Sequence, residues 1–372
     1  MKTPATTLMI AFGLFIAWGC QYNPTQEQIV GPLKRGDLFP QITMSVPTQP
    51  EDRRYLGLFD SDKFTLMDVK ADVVFLEILN THCFSCKKQA RLNKKLFELI
   101  NSDLSKKERI KIFGIAVGND ANEVQTYKKE YNILYPIIPD PDFRIHGAIG
   151  VSKTPYSIYI RKEPTTGSGL IMGTHLGPNL FYEELFDQLS AMLSEQLPPV
   201  LSTELAEETH PEAAVQQLSK NEMEVRMNAA FESIGGTLVH IKEILSPDSG
   251  HVYAGKLKKG GEIQRLFGVI ENRTVPCDVC HDADFLYVFD DTGKVLLFQS
   301  IRLSKYDNLP WDENDISLIR SRIVGKYIFH HIPYYPKVDA VSSATITTAV
   351  IYDSMSKGYK IYEVLKEKGL LK

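Results

Sequence analysis

Several features are scarce in this chain of 372 residues, and each scarcity excludes something. No run of five or more Lys or Arg occurs and the net charge is only −4, so nothing marks a nucleic-acid surface or a strongly basic partner site. No internal repeat is evident, which leaves out a repeat array. The apolar run from Leu8 to Trp18 is too short for a comfortable membrane span. Cysteine is limited to Cys20, Cys83, Cys86, Cys277 and Cys280, an odd number. What is present is ordinary globular material, 43% apolar and 24% charged, in a chain long enough for two or three domains with cores of their own.

The amino terminus, "MKTPATTLMIAFGLFIAWGC", carries one Lys, then the apolar run, then Gly19 and Cys20. This is the form of an export signal. It resembles a bacterial lipoprotein signal, in which the cysteine becomes the lipidated first residue, although Ala17 and Trp18 differ from the usual residues there. An uncleaved amino-terminal anchor is the alternative. Either reading sets the remainder outside the cytoplasm; the first makes residues 1–20 the signal peptide of a lipoprotein anchored to a bacterial membrane. Lipidation of Cys20 also resolves the odd count, because two C-x-x-C pairs remain.

Residues 21–35 are polar and turn-rich and read as a tether. Residues 36–193 alternate strand-like apolar runs with amphipathic helices, a βαβ pattern. Residues 194–222 begin with a proline-rich, acidic stretch and read as a linker. In the second domain, residues 223–372, the pattern predicts a helix to about Ile244 and a helix from Thr347 to Leu371. Between them, "LYVFDDTGKVLLFQSIRL" predicts a β-hairpin turning at Asp290, Asp291, Thr292 and Gly293.

The first C-x-x-C follows a buried-type strand, Val73 to Leu79, and precedes a helical stripe of Leu92, Leu96, Leu99 and Ile100. Cys83 therefore starts a helix. There the exposed N–H groups and the dipole favour a thiolate, and Cys86, one turn on, can resolve a mixed disulfide. With "GDLFP", "FTLMDV", "IKIFGIAVG" and "GAIGVSKTPYSIYI", this segment resembles the thioredoxin-like fold, in its exported, membrane-tethered thiol–disulfide oxidoreductase branch. The resemblance implies an α/β domain with Cys83 attacking and Cys86 resolving. It also implies a cis-proline at Pro155 beside the cysteines on the substrate side, and protein thiols or disulfides as partners. His82 stands where that family usually has Trp.

Near the carboxyl terminus, "KVDAVSSATITTAVIYDSM" packs small and hydroxyl residues before an apolar helix, a pattern that also suits an N-cap and turn. It resembles the motif of FMN-binding domains in membrane redox complexes, where a flavin is joined through its phosphate to a hydroxyl. The positions are Asp339, Ser342, Ser343, Ala344 and Thr345, with Ser343 in place of the usual Gly. The resemblance implies an α+β FMN-binding domain with FMN attached at Thr345. Phe285 and Tyr287 then either stack on a flavin or fill the core.

"CDVCH" holds Cys277, Cys280 and His281 in the spacing of c-type haem attachment, with His330 and His331 as candidate second ligands. The same residues equally describe a redox dithiol relaying electrons between flavin and Cys83–Cys86, or a structural disulfide or small metal clip. No metal-ligand set is assigned. The combined expectation is an extracytoplasmic lipid-anchored redox protein that couples thiol–disulfide exchange to a membrane electron donor through FMN. The rival is a non-enzymatic electron carrier or assembly subunit, with or without haem.

Overall fold

A computed structural model describes residues 33–59, 61–151, 153–163, 167–194, 218–245, 251–277, 280–305 and 309–371. The expected signal peptide with Cys20, nearly all of the expected tether and most of the expected linker lie outside the described residues.

The first half opens with a short pair, β1 (Met44–Ser45) and β2 (Lys63–Phe64), around α1 (Pro50–Leu56). It continues through β3 (Val73–Leu79), α2 (Phe84–Ser102), β4 (Ile110–Val117), α3 (Ala121–Tyr131), β5 (Ile137–Asp140) and α4 (Arg144–Ile149). Strands β6 (Tyr156–Glu163) and β7 (Ser168–Leu176) and helix α5 (Tyr182–Ala191) complete it. The sheet runs β5-β4-β3-β6-β7, with β3, β4 and β5 parallel and β6 and β7 antiparallel to their neighbours. Every residue of β3 and β4 is buried, as their mostly apolar character requires when both faces are covered; Glu77 and Lys111 are the charged exceptions. Val73, Phe75 and Leu79 pack under Leu96 and Ile100 of α2 and Leu185 and Leu189 of α5. Val74, Leu76 and Ile78 face Leu56 of α1 and Ile145 and Ile149 of α4.

The second half starts with α6 (Lys220–Ser233), capped by Ser219 and Glu222, and then forms an antiparallel meander. Its strands, β8 (Thr237–Leu245), β9 (His251–Lys259), β10 (Glu262–Arg273), β11 (Ala283–Asp290) and β12 (Val295–Arg302), lie in sequence order. Helices α7 (Glu313–Ile323), α8 (Pro336–Asp339), α9 (Thr345–Ser356) and α10 (Gly358–Glu367) follow. Side chains alternate along β11: Leu286 and Val288 pack toward Met227 and Phe231 of α6. Phe285, Tyr287 and Phe289 pack toward Ile319, Ile351 and Met355 on the other face. Phe285 and Tyr287 are fully buried core residues.

Two expected helices are corrected. The one reaching to Ile244 ends at Ser233, because Gly235 and Gly236 take positive φ of 97° and 151° and the chain turns into β8. The one from Thr347 to Leu371 is two helices meeting at Lys357 and Gly358, where a Cβ on Gly358 would stand 2.9 Å from the Ile328 carbonyl oxygen.

The halves pack directly on each other. One apolar cluster runs from Cys83, Cys86 and Leu96 to Cys277, Ala344 and Ile346. Ala349 and Val350 of α9 join the cluster that holds Phe143 and Ile149. Lys357 also reaches across to donate to the Asp142 carbonyl at 3.2 Å.

Candidate active site

The turn after β3 is braced from below. Asn80 donates to the Val117 carbonyl at 2.6 Å and accepts from the His82 N–H, while Asn119 accepts from the Thr81 N–H. So held, Cys83 takes the N-cap of α2, and its sulfur accepts from the Cys86 N–H at 3.3 Å. Cys83 is 3% exposed and Cys86 is fully buried; neither is in a disulfide. Burial, reinforced by the neighbouring Cys83, pushes the Cys86 thiol well above its ordinary range. His82 is bonded to Glu123 at 2.8 Å, which turns its ring toward α3.

Glu77, the one charged residue of β3, is buried beneath the cysteines. Its carboxylate accepts from Asn93 of α2, itself held by Gln89, and from Tyr135 at 3.4 Å. Burial outweighs those bonds and raises its pKa to about 8. It is near enough to act electrostatically on Cys86. Sequence reasoning missed Glu77, although a carboxylate inside the run "VVFLEIL" is a signal in itself, since an isolated charge at such a position is costly.

The Thr154–Pro155 peptide is cis. The Cys83 thiol donates to the Thr154 carbonyl at 3.6 Å, so the proline loop lies against Cys83. On its other side this loop meets the second half: Thr154 Oγ1 donates to the Pro276 carbonyl at 2.9 Å.

All three sequence motifs converge there. A cavity of about 390 Å³ is lined by His82, Cys83, Phe84, Lys87, Cys277, Cys280 and residues 343–347. Cys277 and Cys280 are joined as a disulfide. His330 and His331 line a different pocket, with Lys326 and Tyr327. No group of three or more His, Cys, Asp or Glu suited to a metal occurs among the described residues.

The motif at residues 339–345 suits a flavin phosphate in its donor set. Thr345 opens α9, whose N-cap is Ala344 and which has no side-chain cap, so its first-turn N–H groups have no capping acceptor, and residues 343–347 line the cavity. Ser343 takes φ 59°, so serine adopts the left-handed backbone a glycine would supply there. Ser342 and Ser343 are exposed. Asp339 accepts from the Tyr335 N–H at 2.9 Å and pairs with Arg322 at 3.1 Å, fixing the turn that leads into the motif.

A parallel-antiparallel sheet, a C-x-x-C pair at the N-terminus of the helix leaving its central strand, and a cis-proline opposite define a thioredoxin-like fold in the first half. The sequence profile of the AhpC/TSA family matches residues 36–166. Thiol-disulfide oxidoreductase ResA of Bacillus subtilis (strain 168) is 27% identical over 101 residues, 27% of this chain. The match spans about half of that relative's length, 54%. Among solved structures, a putative thiol:disulfide interchange protein DsbE from Chlorobium tepidum is 17% identical, with a TM-score of 0.34, covering 44% of this chain and 99% of its own. A putative protein disulfide isomerase from Bacteroides thetaiotaomicron is 20% identical, with a TM-score of 0.34, covering 43% and 91%.

Proposed function

We propose that this protein is an extracytoplasmic, lipid-anchored thiol–disulfide oxidoreductase whose second half holds FMN and links the exchange to a membrane electron donor. The observation that carries the reading is the shared cavity, which is lined both by Cys83 and by Ser343, Ala344 and Thr345.

In the exchange, the Cys83 thiolate attacks a disulfide sulfur of a protein partner and forms a mixed disulfide. Cys86 then gives its proton to ionised Glu77 and attacks the Cys83 sulfur, which releases the partner as a thiol. Run in reverse, protonated Glu77 returns the proton to the leaving Cys86 thiolate. Pro155 and Thr154 form the wall along which a partner's backbone would lie.

Residues Ser343, Ala344 and Thr345 would hold the FMN phosphate, with Thr345 Oγ1 as the attachment atom and Asp339 shaping the turn. FMN, when bound, supplies electron exchange in steps of one or two, whereas a dithiol exchanges two. Cys20 would carry the lipid. Among the described residues no helix is long and apolar enough to cross a membrane.

Two assays on the exported full chain test the reading. Disulfide reduction of a model protein should be lost in Cys83→Ser, and retained activity would refute the catalytic role. Flavin absorbance should stay with acid-precipitated wild-type protein and vanish in Thr345→Ala; a precipitate without flavin in both would refute covalent attachment.

A further inference from the structure

Thr154 touches both cysteine motifs at once. Its carbonyl accepts from the Cys83 thiol, and its hydroxyl donates to Pro276, the residue before Cys277. Lys153 grips the same turn from its other end, donating to the carbonyls of Cys280 at 2.9 Å and Val275 at 3.3 Å and pairing with Asp282 at 3.8 Å. The turn bearing Cys277 and Cys280 is thus fastened by its backbone to the loop that flanks the attacking cysteine. Cys277 and Cys83, each 3% exposed, are shielded from bulk water yet line one cavity. A bond between residues three apart also closes so short a loop that its entropic value to the fold is small.

We infer that the Cys277–Cys280 disulfide is the resident exchange partner of Cys83, so that two electrons pass within the chain between its halves. The inference rests on the reading of Cys83 and Cys86 as an exchange pair. In the first step the Cys83 thiolate attacks one sulfur of the Cys277–Cys280 bond. That bond breaks, a bond from Cys83 to the attacked sulfur forms, and the departing thiolate takes up a proton. In the second step Cys86 passes its proton to the Glu77 carboxylate and attacks the Cys83 sulfur, and the remaining sulfur of the second pair leaves as a thiolate and is protonated. The first pair ends as a disulfide and the second as a dithiol, with no other oxidant or reductant required. The turn occupies the substrate side of the proline loop, so an outside protein disulfide competes with it for Cys83.

Cys86→Ser removes the resolving thiol and should trap the intermediate. The full-length variant is quenched in acid, its thiols are alkylated, and linked peptides are mapped by mass spectrometry. The expected product is a peptide with Cys83 joined to one with Cys277 or Cys280, at a yield independent of protein concentration. An intact Cys277–Cys280 bond with alkylated Cys83 overturns the inference. If Cys83 in an unquenched, unalkylated portion of the same variant still attacks 5,5′-dithiobis(2-nitrobenzoate), the exchange reading survives alone; if it does not, both fail. The wild-type chain offers a check that needs no variant. After oxidation and one equivalent of a phosphine reductant, thiols should redistribute between the two pairs with a first-order rate that does not change on dilution. Thiols that stay in the pair first reduced overturn the inference equally.

Discussion

Glu77 shows how one residue's environment sets its chemistry. Its folded pKa of about 8 lies above the ordinary 4.5 because the charged form is denied water. A carboxyl raised in the folded state leaves stability untouched below 4.5 and lowers it as pH climbs toward 8, since only the unfolded chain ionises freely in that window. Glu77→Gln should therefore flatten the fall in stability between pH 5 and 9 by on the order of 4 kcal/mol, read from urea unfolding. The same substitution should slow release of the mixed disulfide roughly a hundredfold and remove its rise through pH 8; an unchanged pH profile in stopped-flow exchange would count against the proton-transfer role. Cys83, Cys86 and the Thr154-Pro155 step stand out in the sequence because their residue types and order carry the chemistry. Glu77 is less visible, since its burial depends on Asn93 and Tyr135 arriving from distant segments.

At the scale of elements, α6 lies close on its sheet because two strand positions are glycine. A Cβ on Gly268 would fall 2.2 Å from Met227 Sδ, and one on Gly255 would fall 2.5 Å from the Phe231 ring. Gly268→Ala should cost about 2 kcal/mol of unfolding free energy, whereas Gly147→Ala, which meets open space, should cost little; equal urea midpoints would contradict this packing. Ser343 poses the opposite test. At φ 59° a β-branched side chain is disfavoured, so Ser343→Val should lose about 1–3 kcal/mol, and Ser343→Gly should be tolerated. The hairpin of β11 and β12 was legible, because two β-rich runs flank a turn sequence ending in Gly293. Strand β8 was not. Its segment "TLVHIKEIL" follows a helix without a proline stop, and its pairing with β9 supplies the decision that local pattern lacks.

For the whole molecule, what matters is that segments near residues 83, 154, 277 and 345 meet. Each motif is visible on its own in the sequence. Their convergence is not, since it follows from the packing of α9 and the turn after β10 against the thioredoxin-like half. That packing also sets Cys277 and Cys280, which are bonded to each other, beside the proline loop, a placement that spacing alone does not show. Lys153→Ala removes the tie to the Cys280 and Val275 carbonyls and should slow exchange between the two cysteine pairs several-fold while leaving attack on a small soluble disulfide unchanged. Quenched alkylation separates the two rates, and a parallel drop in both would argue against a docking role. The most direct test of the whole account joins both halves in one reaction. The FMN-loaded chain, with its flavin photoreduced under anaerobic conditions and Cys83–Cys86 held as a disulfide, is followed by flavin absorbance and by thiol alkylation. The account predicts that the flavin reoxidises as the Cys83 and Cys86 thiols form, one pair for each flavin; a flavin that stays reduced beside an intact Cys83–Cys86 disulfide would contradict it.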